Sequence, residues 1–374
     1  MRVLHICNDF SYSKVYKNLY EQLDSLDIQQ IVYHPLRHVE NIGKNVFPFK
    51  VVESEVVYSK VFIKWYHRFL FRRKVNLLYK DLLSSVDVSK IDISYPTTLF
   101  SDGAIAYKLF KKFKLPYIVA VRNTDVNLFL AYRPDLIPFG LKILESAEKI
   151  VFISEGLKVK FFEHPYFIKY KETLSSKTQV IANGIDSYWL SNNIRKFEPE
   201  CEGNNFLFIG RFDKNKNVLN LIKALDNLRN KYRNIHLDLV GGGGDLHDEV
   251  CASIKNNSWC HFYGKVYEKD ELKMIFHKND FFAMPSIYET FGLVYIEALS
   301  QGLPVLYTKN QGIDKLFSFE VGEGADGTIT DIQLCLEKMI LNRKSYKIND
   351  IVFNRFNWMK IAELYKKIFL EGIK

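Results

Sequence analysis

The residues from Phe281 to Val305, FFAMPSIYETFGLVYIEALSQGLPV, constrain the fold more than any other part of this chain. The short apolar run Phe281 to Met284 predicts a buried strand. After a loop, Leu293 to Gln301 predicts a helix, which Gly302 terminates, and Val305 begins the next strand. This order of elements is typical of open α/β sheets, which bind ligands at the carboxyl ends of their strands.

The helix in this stretch is apolar on almost every side, which predicts that it is buried. Glu297 lies about one turn into it and needs a partner, because a buried carboxylate without one is costly. The unpaired N–H groups of Gly292, Leu293 and Val294 predict an anion site at the helix start. Seven residues separate Glu289, in the preceding loop, from Glu297.

Phosphate-binding amides between two hydroxyl-accepting carboxylates match the groups of a nucleotide-sugar. Such a donor presents ribose hydroxyls, a pyrophosphate and sugar hydroxyls in that order. The alternative interpretation is a buried helix with two incidental acids, capped and solvated.

The run PSIYETFGLVYIEALSQGLPV resembles the motif of two glutamates, seven residues apart, found in the retaining glycosyltransferase family 4. The resemblance implies an α/β chain with the GT-B fold, in which two Rossmann-like domains enclose a deep interdomain cleft. It also implies a catalytic role for Glu289 and contact between Glu297 and the donor.

The resemblance extends over most of the chain and implies its division into domains. Residues 1–195 would form an acceptor-side Rossmann-like domain and residues 205–350 a nucleotide-sugar-binding one. Residues 355–372 would be a helix that crosses back to the first domain. The polar residues 192–204 are interpreted as the linker.

The second domain opens with a strand and the residues GRFDKNKN. Gly210, Arg211 and Lys216 lie at the carboxyl end of that strand. They resemble the family's paired cations on the donor pyrophosphate, where two cations would stabilise the charge that grows as the glycosidic bond breaks. The alternative is a solvated loop with ordinary charges.

One further segment of the second half resembles a donor-binding part of the family. Lys265 and Val266 follow a strand whose end would hold the nucleotide base. The four glycines 241–244 allow close approach of the backbone to a ligand. Gln311 stands where the family often has a glycine.

The first half departs from the family pattern at two places. The loop after the first strand, residues 8–13, has no glycine, although family members usually carry a Gly-Gly pair there. In the loop at 122–125 the aspartate is kept as Asp125, with an expected catalytic role, but Arg122 replaces the family histidine. We expect Arg122 to bind an acceptor phosphate or carboxylate; the alternative is a loop arginine paired with Asp125.

The net charge of +9 is concentrated in one half of the chain. Residues 1–200 hold 29 Lys and Arg against 21 Asp and Glu, whereas residues 201–374 hold 23 against 22. Residues 60–80 contain seven basic residues, no acid and several aromatic residues, which predicts a basic amphipathic helix at a membrane interface. The alternative is a surface helix that packs on the core; both interpretations can hold together.

The five cysteines form no close pair, which favours a reducing cytoplasm. The N-terminus reads directly as a strand, so no signal peptide is expected, and no apolar run is long enough to span a membrane. We therefore expect a cytoplasmic protein with peripheral contact at the inner face of the plasma membrane.

The resemblance implies a retaining glycosyltransferase that moves a sugar from a nucleotide-sugar, favoured as a UDP-sugar, to a saccharide acceptor. The acceptor is expected to be lipid-linked, as in bacterial surface polysaccharide assembly. No metal or other cofactor is expected, because the chain has no D-x-D motif. The alternatives are a non-catalytic nucleotide-sugar or lipid-binding protein and a GT-B-like epimerase or phosphorylase. No recognition motif supports a nucleic-acid partner.

Overall fold

The computed structural model describes residues 1–193, 203–255 and 257–373, without the side chain of Arg68. Most of the linker expected at residues 192–204 lies outside the described residues, as does Cys201. The chain forms two compact units. The first comprises residues 1–153, 157–184 and 358–374, and the second comprises residues 154–156 and 185–357.

The first unit contains seven parallel strands. They are β1 Arg2–Ile6, β2 Gln29–His34, β3 Glu55–Tyr58, β4 Ile93–Pro96, β5 Ile118–Val121, β6 Lys149–Phe152 and β7 Thr178–Val180. Four of them pair in the order β3-β2-β1-β4 and three in the order β5-β6-β7. A parallel bridge between Ser94 and Tyr117 joins the two groups, so the strand order reverses its direction between β1 and β4.

The second unit contains one six-stranded sheet. Its strands are β8 Asn204–Gly210, β9 Ile235–Gly241, β10 Cys260–Gly264, β11 Phe281–Ala283, β12 Val305–Thr308 and β13 Gly322–Ala325. They pair in the order β10-β9-β8-β11-β12-β13, and every pair is parallel. This is the doubly wound order 3-2-1-4-5-6, in which the direction of winding reverses between the first and fourth strands.

Helices connect the strands of both units. The α-helices are α1 Lys14–Ser25, α2 Phe71–Ser85, α3 Gly103–Phe113, α4 Ile137–Ser146, α5 Glu155–Glu163, α6 Lys171–Ser175, α7 Ser187–Ser191, α8 Val218–Arg229, α9 His247–Ile254, α10 Lys269–Lys278, α11 Leu293–Ser300, α12 Ile329–Leu341 and α13 Trp358–Gly372.

The last helix, α13, belongs to the core of the first unit although it comes last in the chain. Its apolar residues recur at helical spacing. Trp358, Ile361, Tyr365 and Phe369 are buried in the same cluster as strands β1, β4 and β5 and helix α1. The hydroxyl of Tyr95 on β4 donates to that of Tyr365 at 3.0 Å, which ties α13 to the sheet.

The structure corrects the prediction of one basic helix over residues 60–80. A short 3-10 helix covers Trp65–Arg68, and α2 begins only at Phe71. The two are separated by Leu70, whose backbone is not helical (φ −89°, ψ 51°).

Tertiary hydrogen bonds explain why the helix does not extend back to residue 60. The N–H of Ile63 donates to the carbonyl of Leu36 at 2.7 Å. The N–H of Lys60 donates to Oδ1 of the buried Asp81 at 3.0 Å. These bonds hold residues 60–63 beside the sheet, and no sequence periodicity reveals them. Among the described residues, no helix is long and apolar enough to cross a membrane.

Candidate functional site

The residues predicted to bind the donor lie at the carboxyl edge of the second sheet. Because all six strands are parallel, the segments that follow β8, β9, β10, β11 and β12 leave the sheet at the same edge. Strand β8 pairs directly with β11. The loops after these two strands are therefore neighbours at the point where the strand order reverses, which is where such sheets bind ligands.

Lys216 and Glu289 form an ion pair at this point. Nζ of Lys216 lies 2.8 Å from Oε2 of Glu289, and their side chains are 23% and 11% exposed. The carboxylate also accepts from the backbone N–H of Thr290 at 3.0 Å and from the hydroxyl of Ser286 at 3.5 Å. Glu289 is therefore fixed by three donors.

Two side chains to which the sequence analysis gave no role hold the Glu289 loop in place. Asn215 bonds to Tyr288 in both directions, as Nδ2 donates to its carbonyl and Oδ1 accepts from its N–H, each at 3.0 Å. Gln311 accepts from the N–H of Glu289 at 3.0 Å and donates to the carbonyl of Ile287 at 3.0 Å. The residue that replaces a family glycine therefore positions Glu289. Its amide side chain, next to a motif loop, is the signal that could have indicated this.

Two glycines make room for Glu289. Gly292 has a φ of +74°, and a Cβ there would lie 2.3 Å from the ring of Tyr295. Gly312 has a φ of +57°, and a Cβ there would lie 3.2 Å from Cγ of Glu289. Both positions require the left-handed region and tolerate no side chain without a shift of their neighbours.

Helix α11 begins directly after Gly292, and its first turn faces the same edge of the sheet. The N–H groups of Leu293 and Val294 have no intrahelical acceptor, as at the start of any α-helix. Gly292 supplies no side-chain cap. The helix start therefore offers free donors and the positive end of the helix dipole to an anion.

Glu297 lies on α11 near an ion pair rather than in one. Burial raises the pKa of Glu297 to about 7; Asp186 also raises it, whereas Lys269 lowers it. Asp186 and Lys269 pair with each other at 2.6 Å. Within residues 1–193, 203–255 and 257–373, no donor is hydrogen-bonded to the half-buried carboxylate of Glu297. It is therefore available to accept from a ligand.

Arg211 differs from Lys216 in how firmly it is held. Its side chain is 72% exposed, and its Nε lies 3.7 Å from Oδ2 of Asp213. Asp213 also accepts from the backbone N–H of Lys216 at 3.0 Å. The two predicted cations share one loop, but in this structure only Lys216 is fixed.

The glycines after β9 bring the backbones of β8 and β9 into close contact. The N–H of Gly242 donates to the carbonyl of Gly210 at 3.0 Å. Lys265 is exposed, and its side chain extends beside the glycines. A Cβ built on Gly243 would lie 3.9 Å from Nζ of Lys265. Val266, half-buried, follows it. The strand that they follow, β10, lies at the edge of the sheet and is separated from β8 by β9.

In the first unit, the structure corrects the catalytic role expected of Asp125. Its side chain is fully buried. Its carboxylate accepts from the backbone N–H groups of Leu99, Phe100 and Arg122 at 2.9, 3.2 and 2.9 Å. Burial raises the pKa of Asp125 to about 6, although these three bonds favour the ionised form. An enclosed carboxylate cannot touch a substrate, so Asp125 is a positioning residue for two loops.

The side chain of Arg122 does not pair with Asp125, contrary to the alternative interpretation. Its Nε donates to the carbonyl of Thr97 at 3.3 Å, and its Nη2 donates to the hydroxyl of Tyr95 at 3.4 Å. Arg122 directly precedes a helical segment rather than opening a loop. Its guanidinium therefore lies at the carboxyl edge of the first sheet.

Side chains that could bind a metal ion are not grouped together in the part of the chain that the structure describes. Among the described residues, no three His, Cys, Asp or Glu side chains are grouped as a metal site requires. Whether the protein needs a metal stays a prediction.

Comparison with known sequence families gives a match in the second unit. Residues 191–347 match the family described as glycosyl transferases group 1. The matched residues include the Lys216–Glu289 pair, the start of α11 and Glu297.

Curated relatives match over most of the chain. A lipopolysaccharide 1,2-N-acetylglucosaminetransferase of Salmonella typhimurium is 25% identical over 336 residues, which are 83% of this chain and 80% of that protein. An alpha-monoglucosyldiacylglycerol synthase of Streptococcus pneumoniae is 23% identical over 324 residues, 77% of this chain and 69% of that protein.

Among solved structures, a sucrose-phosphate synthase from Thermosynechococcus elongatus has the same fold. It superposes with a TM-score of 0.70 at 16% identity and covers 99% of both chains. At this identity the likeness concerns the fold alone. Together with the two parallel sheets, it confirms the expected fold class.

Proposed function

Because the chain is a glycosyltransferase with a group 1 domain over residues 191–347, we propose that it transfers a sugar from a nucleotide-sugar to a saccharide acceptor with retention of configuration. The observation that carries this proposal is the Lys216–Glu289 pair beside the open N-terminus of α11. Two relatives whose names describe the synthesis of a lipopolysaccharide and a glycolipid support sugar transfer in glycoconjugate synthesis.

We assign each part of the donor to one group of side chains at this edge of the second sheet. The diphosphate binds the N–H groups of Leu293 and Val294, and the sugar hydroxyls bind Glu289. The ribose hydroxyls bind Glu297, whose carboxylate has no other donor among the described residues. The base lies against Lys265 and Val266, with Gly210 below the diphosphate.

The chemical step develops negative charge on the leaving diphosphate as the bond to the anomeric carbon breaks. Preorganised donors that face this charge lower the barrier. Lys216 is already fixed within 2.8 Å of Glu289, and in the complex its ammonium group bridges that carboxylate and the diphosphate. Arg211, which is largely exposed, turns toward the diphosphate when the donor binds.

The test is a panel of UDP-, GDP- and ADP-sugars, assayed for thermal stabilisation and for slow donor hydrolysis. We expect one base to be preferred, with UDP favoured, and expect Glu289→Gln to remove hydrolysis while stabilisation by the donor remains. The anomeric configuration of the product, followed by NMR before mutarotation, reports retention. Activity that survives chelation supports a reaction without a metal. If no nucleotide-sugar stabilises or is hydrolysed, the proposal fails.

We further propose that the acceptor is lipid-linked and that the first unit contacts an anionic membrane. Trp65 and Phe69 are 74% and 75% exposed, and the exposed cations Lys64, Arg72 and Arg73 flank them. Exposed aromatic rings beside basic side chains are typical of interfacial membrane contacts. Trp65 lies on a 3-10 helix and Phe69 directly follows it, so neither lies on the long helix expected from the sequence.

Co-sedimentation with liposomes tests this contact. Binding should rise with anionic lipid and fall with salt. Binding should be abolished in the triple variant Lys64→Gln, Arg72→Gln and Arg73→Gln. The matched control also replaces three basic residues by Gln, namely Lys108, Lys111 and Lys112 in the second half of α3. If the wild-type protein does not bind anionic liposomes at low salt, a soluble acceptor is the better assignment.

A further inference from the structure

Three cations gather at the carboxyl edge of the first sheet. Arg37 follows β2, Arg122 follows β5, and Lys74 lies in the first turn of α2. Burial raises the pKa of Asp9, and the charges of Arg37, Arg122 and Lys74 oppose that rise. All three cations therefore lie near the same carboxylate, close to where the order of strands reverses between β1 and β4.

Two of these cations have no carboxylate partner. Nζ of Lys74 donates to the hydroxyl of Ser101 at 3.0 Å, and the guanidinium of Arg122 donates only to neutral oxygens. Across the described residues, no carboxylate lies within ion-pair distance of either side chain. Both are half-buried, and a cation held away from water by neutral partners is costly.

The nearby acids do not balance this charge. Asp9 pairs with Arg37 at 3.3 Å. Asp102 is buried and accepts from Asn8 at 3.1 Å and from Thr97 at 2.9 Å. Burial raises the pKa of Asp102 to about 7 and lowers that of Lys74 to about 8, so near neutral pH the carboxylate is only partly ionised while Lys74 stays mostly protonated. The cluster therefore keeps an excess of positive charge.

Asn8 shows how the cluster is built. Its side chain donates to Asp102 and accepts from Nη2 of Arg37 at 3.0 Å. It occupies the loop after β1, where the sequence lacks the glycines expected from the resemblance. The polar side chain therefore holds Arg37 against the sheet edge, where a glycine loop would leave it unsupported.

We infer that Arg37, Lys74 and Arg122 form a site for a phosphate group carried by the acceptor. Two guanidinium groups and one ammonium suit an anion with several oxygens, because each guanidinium can donate two parallel hydrogen bonds. This inference rests on the proposed function, since it specifies the acceptor. The phosphate belongs either to a soluble sugar phosphate or to a lipid-linked pyrophosphate saccharide.

The test uses inorganic phosphate as the probe and titrates it into the full chain by calorimetry. We expect Lys74→Gln and Arg122→Gln each to weaken binding at least about tenfold, because each removes a charge-assisted hydrogen bond. Lys80→Gln, on the same helix and exposed, is the matched control and should bind as the wild type does. Lys216→Met should weaken only the binding of phosphate at the donor site and should leave the affinity of the site in the first unit unchanged.

One further variant and one further measurement guard against misfolding. Lys74→Arg keeps the charge and should keep binding within a few-fold, and thermal unfolding of each variant shows that it is folded. Equal phosphate affinity in the wild type and Lys74→Gln overturns the inference. So does a loss confined to Lys216→Met, because the phosphate then occupies the donor site.

Competition identifies the source of the phosphate. A soluble sugar phosphate, or vesicles that carry a lipid-linked pyrophosphate saccharide, should displace inorganic phosphate; the one that competes is the acceptor class. If neither competes, the acceptor assignment is wrong. The proposed function is tested separately by donor hydrolysis, which needs no acceptor. Absence of hydrolysis by the wild-type protein would count against the proposed function, whereas absence of phosphate binding would count only against the acceptor site.

Discussion

Replacing Lys216 by Met tests whether the Lys216–Glu289 pair serves catalysis or only the fold. Met keeps most of the side-chain volume but removes the ammonium 2.8 Å from Glu289. The carboxylate, 11% exposed, would keep only Thr290 and the distant Ser286 hydroxyl as donors. Breaking a fully buried pair costs about 3–5 kcal/mol. Because Lys216 is 23% exposed and water can reach the site, we expect the free energy of unfolding to fall by about 1–3 kcal/mol.

The same change should reduce turnover by far more than it reduces stability. Removing one preorganised donor from a developing oxyanion lowers the rate on the order of 100- to 1,000-fold. Urea unfolding measures the first quantity and donor hydrolysis under conditions where the variant is folded measures the second. Asn215→Ala is a useful control, because it disturbs the loop that holds the pair while leaving the ammonium in place.

A double-mutant cycle completes the test. If Lys216 and Glu289 interact as described, Lys216→Met and Glu289→Gln each lower the free energy of unfolding. The sum of these two losses should then exceed the loss in the double variant by at least about 1 kcal/mol. Additive losses within about 0.5 kcal/mol would show that the pair does not interact. Turnover that falls only in proportion to the folded fraction would refute the catalytic role.

Four further predictions concern the same edge of the second sheet. Glu297→Gln should weaken nucleotide and nucleotide-sugar binding alike, by about 1.5–3 kcal/mol, because it removes a charge-assisted bond to the ribose; unchanged affinity for the free nucleotide in calorimetry would contradict the assignment. Since the pKa of Glu297 is raised to about 7, the wild-type affinity for a nucleotide-sugar should fall as the pH is lowered through 7, when the carboxylate gains a proton, and this dependence should be absent in Glu297→Gln. Arg211→Ala should lower kcat on the order of 100-fold with a smaller change in KM; a raised KM with unchanged kcat would indicate plain ground-state binding. Gly292→Ala should cost more than about 1 kcal/mol of stability, because its φ of +74° and the ring of Tyr295 at 2.3 Å leave no room for a methyl group; an unfolding midpoint equal to that of the wild type would contradict the argument.

Most elements of the second sheet could be predicted from local patterns. The apolar run from Phe281 indicated a strand, and the helix expected at Leu293 to Gln301 is α11, which ends at Ser300. Such signals are local, since apolar runs and helix terminators act within a few residues of chain. The same reasoning placed the start of this helix directly after Gly292.

The first unit shows where local patterns fail. Basic residues recur at every fourth position from Lys60 to Arg72, but hydrogen bonds to Leu36 and Asp81 hold residues 60–63 in a conformation that is not helical. Asp125 fits the family motif, yet three backbone donors enclose it and leave no face for a substrate. In both places a tertiary hydrogen bond outweighs a weak local preference.

The sequence by itself determined the alternation of strands and helices, the glycines that need positive φ, and the pair of glutamates seven residues apart. Only the tertiary structure decided which charges meet. Lys216 and Glu289 are 73 residues apart and are neighbours because β8 pairs with β11. Arg37, Lys74 and Arg122 likewise converge on Asp9 from three separate elements. Spacing along a chain reports the periodicity of its backbone, whereas contact between distant residues depends on the order of strands in a sheet, which no local pattern encodes.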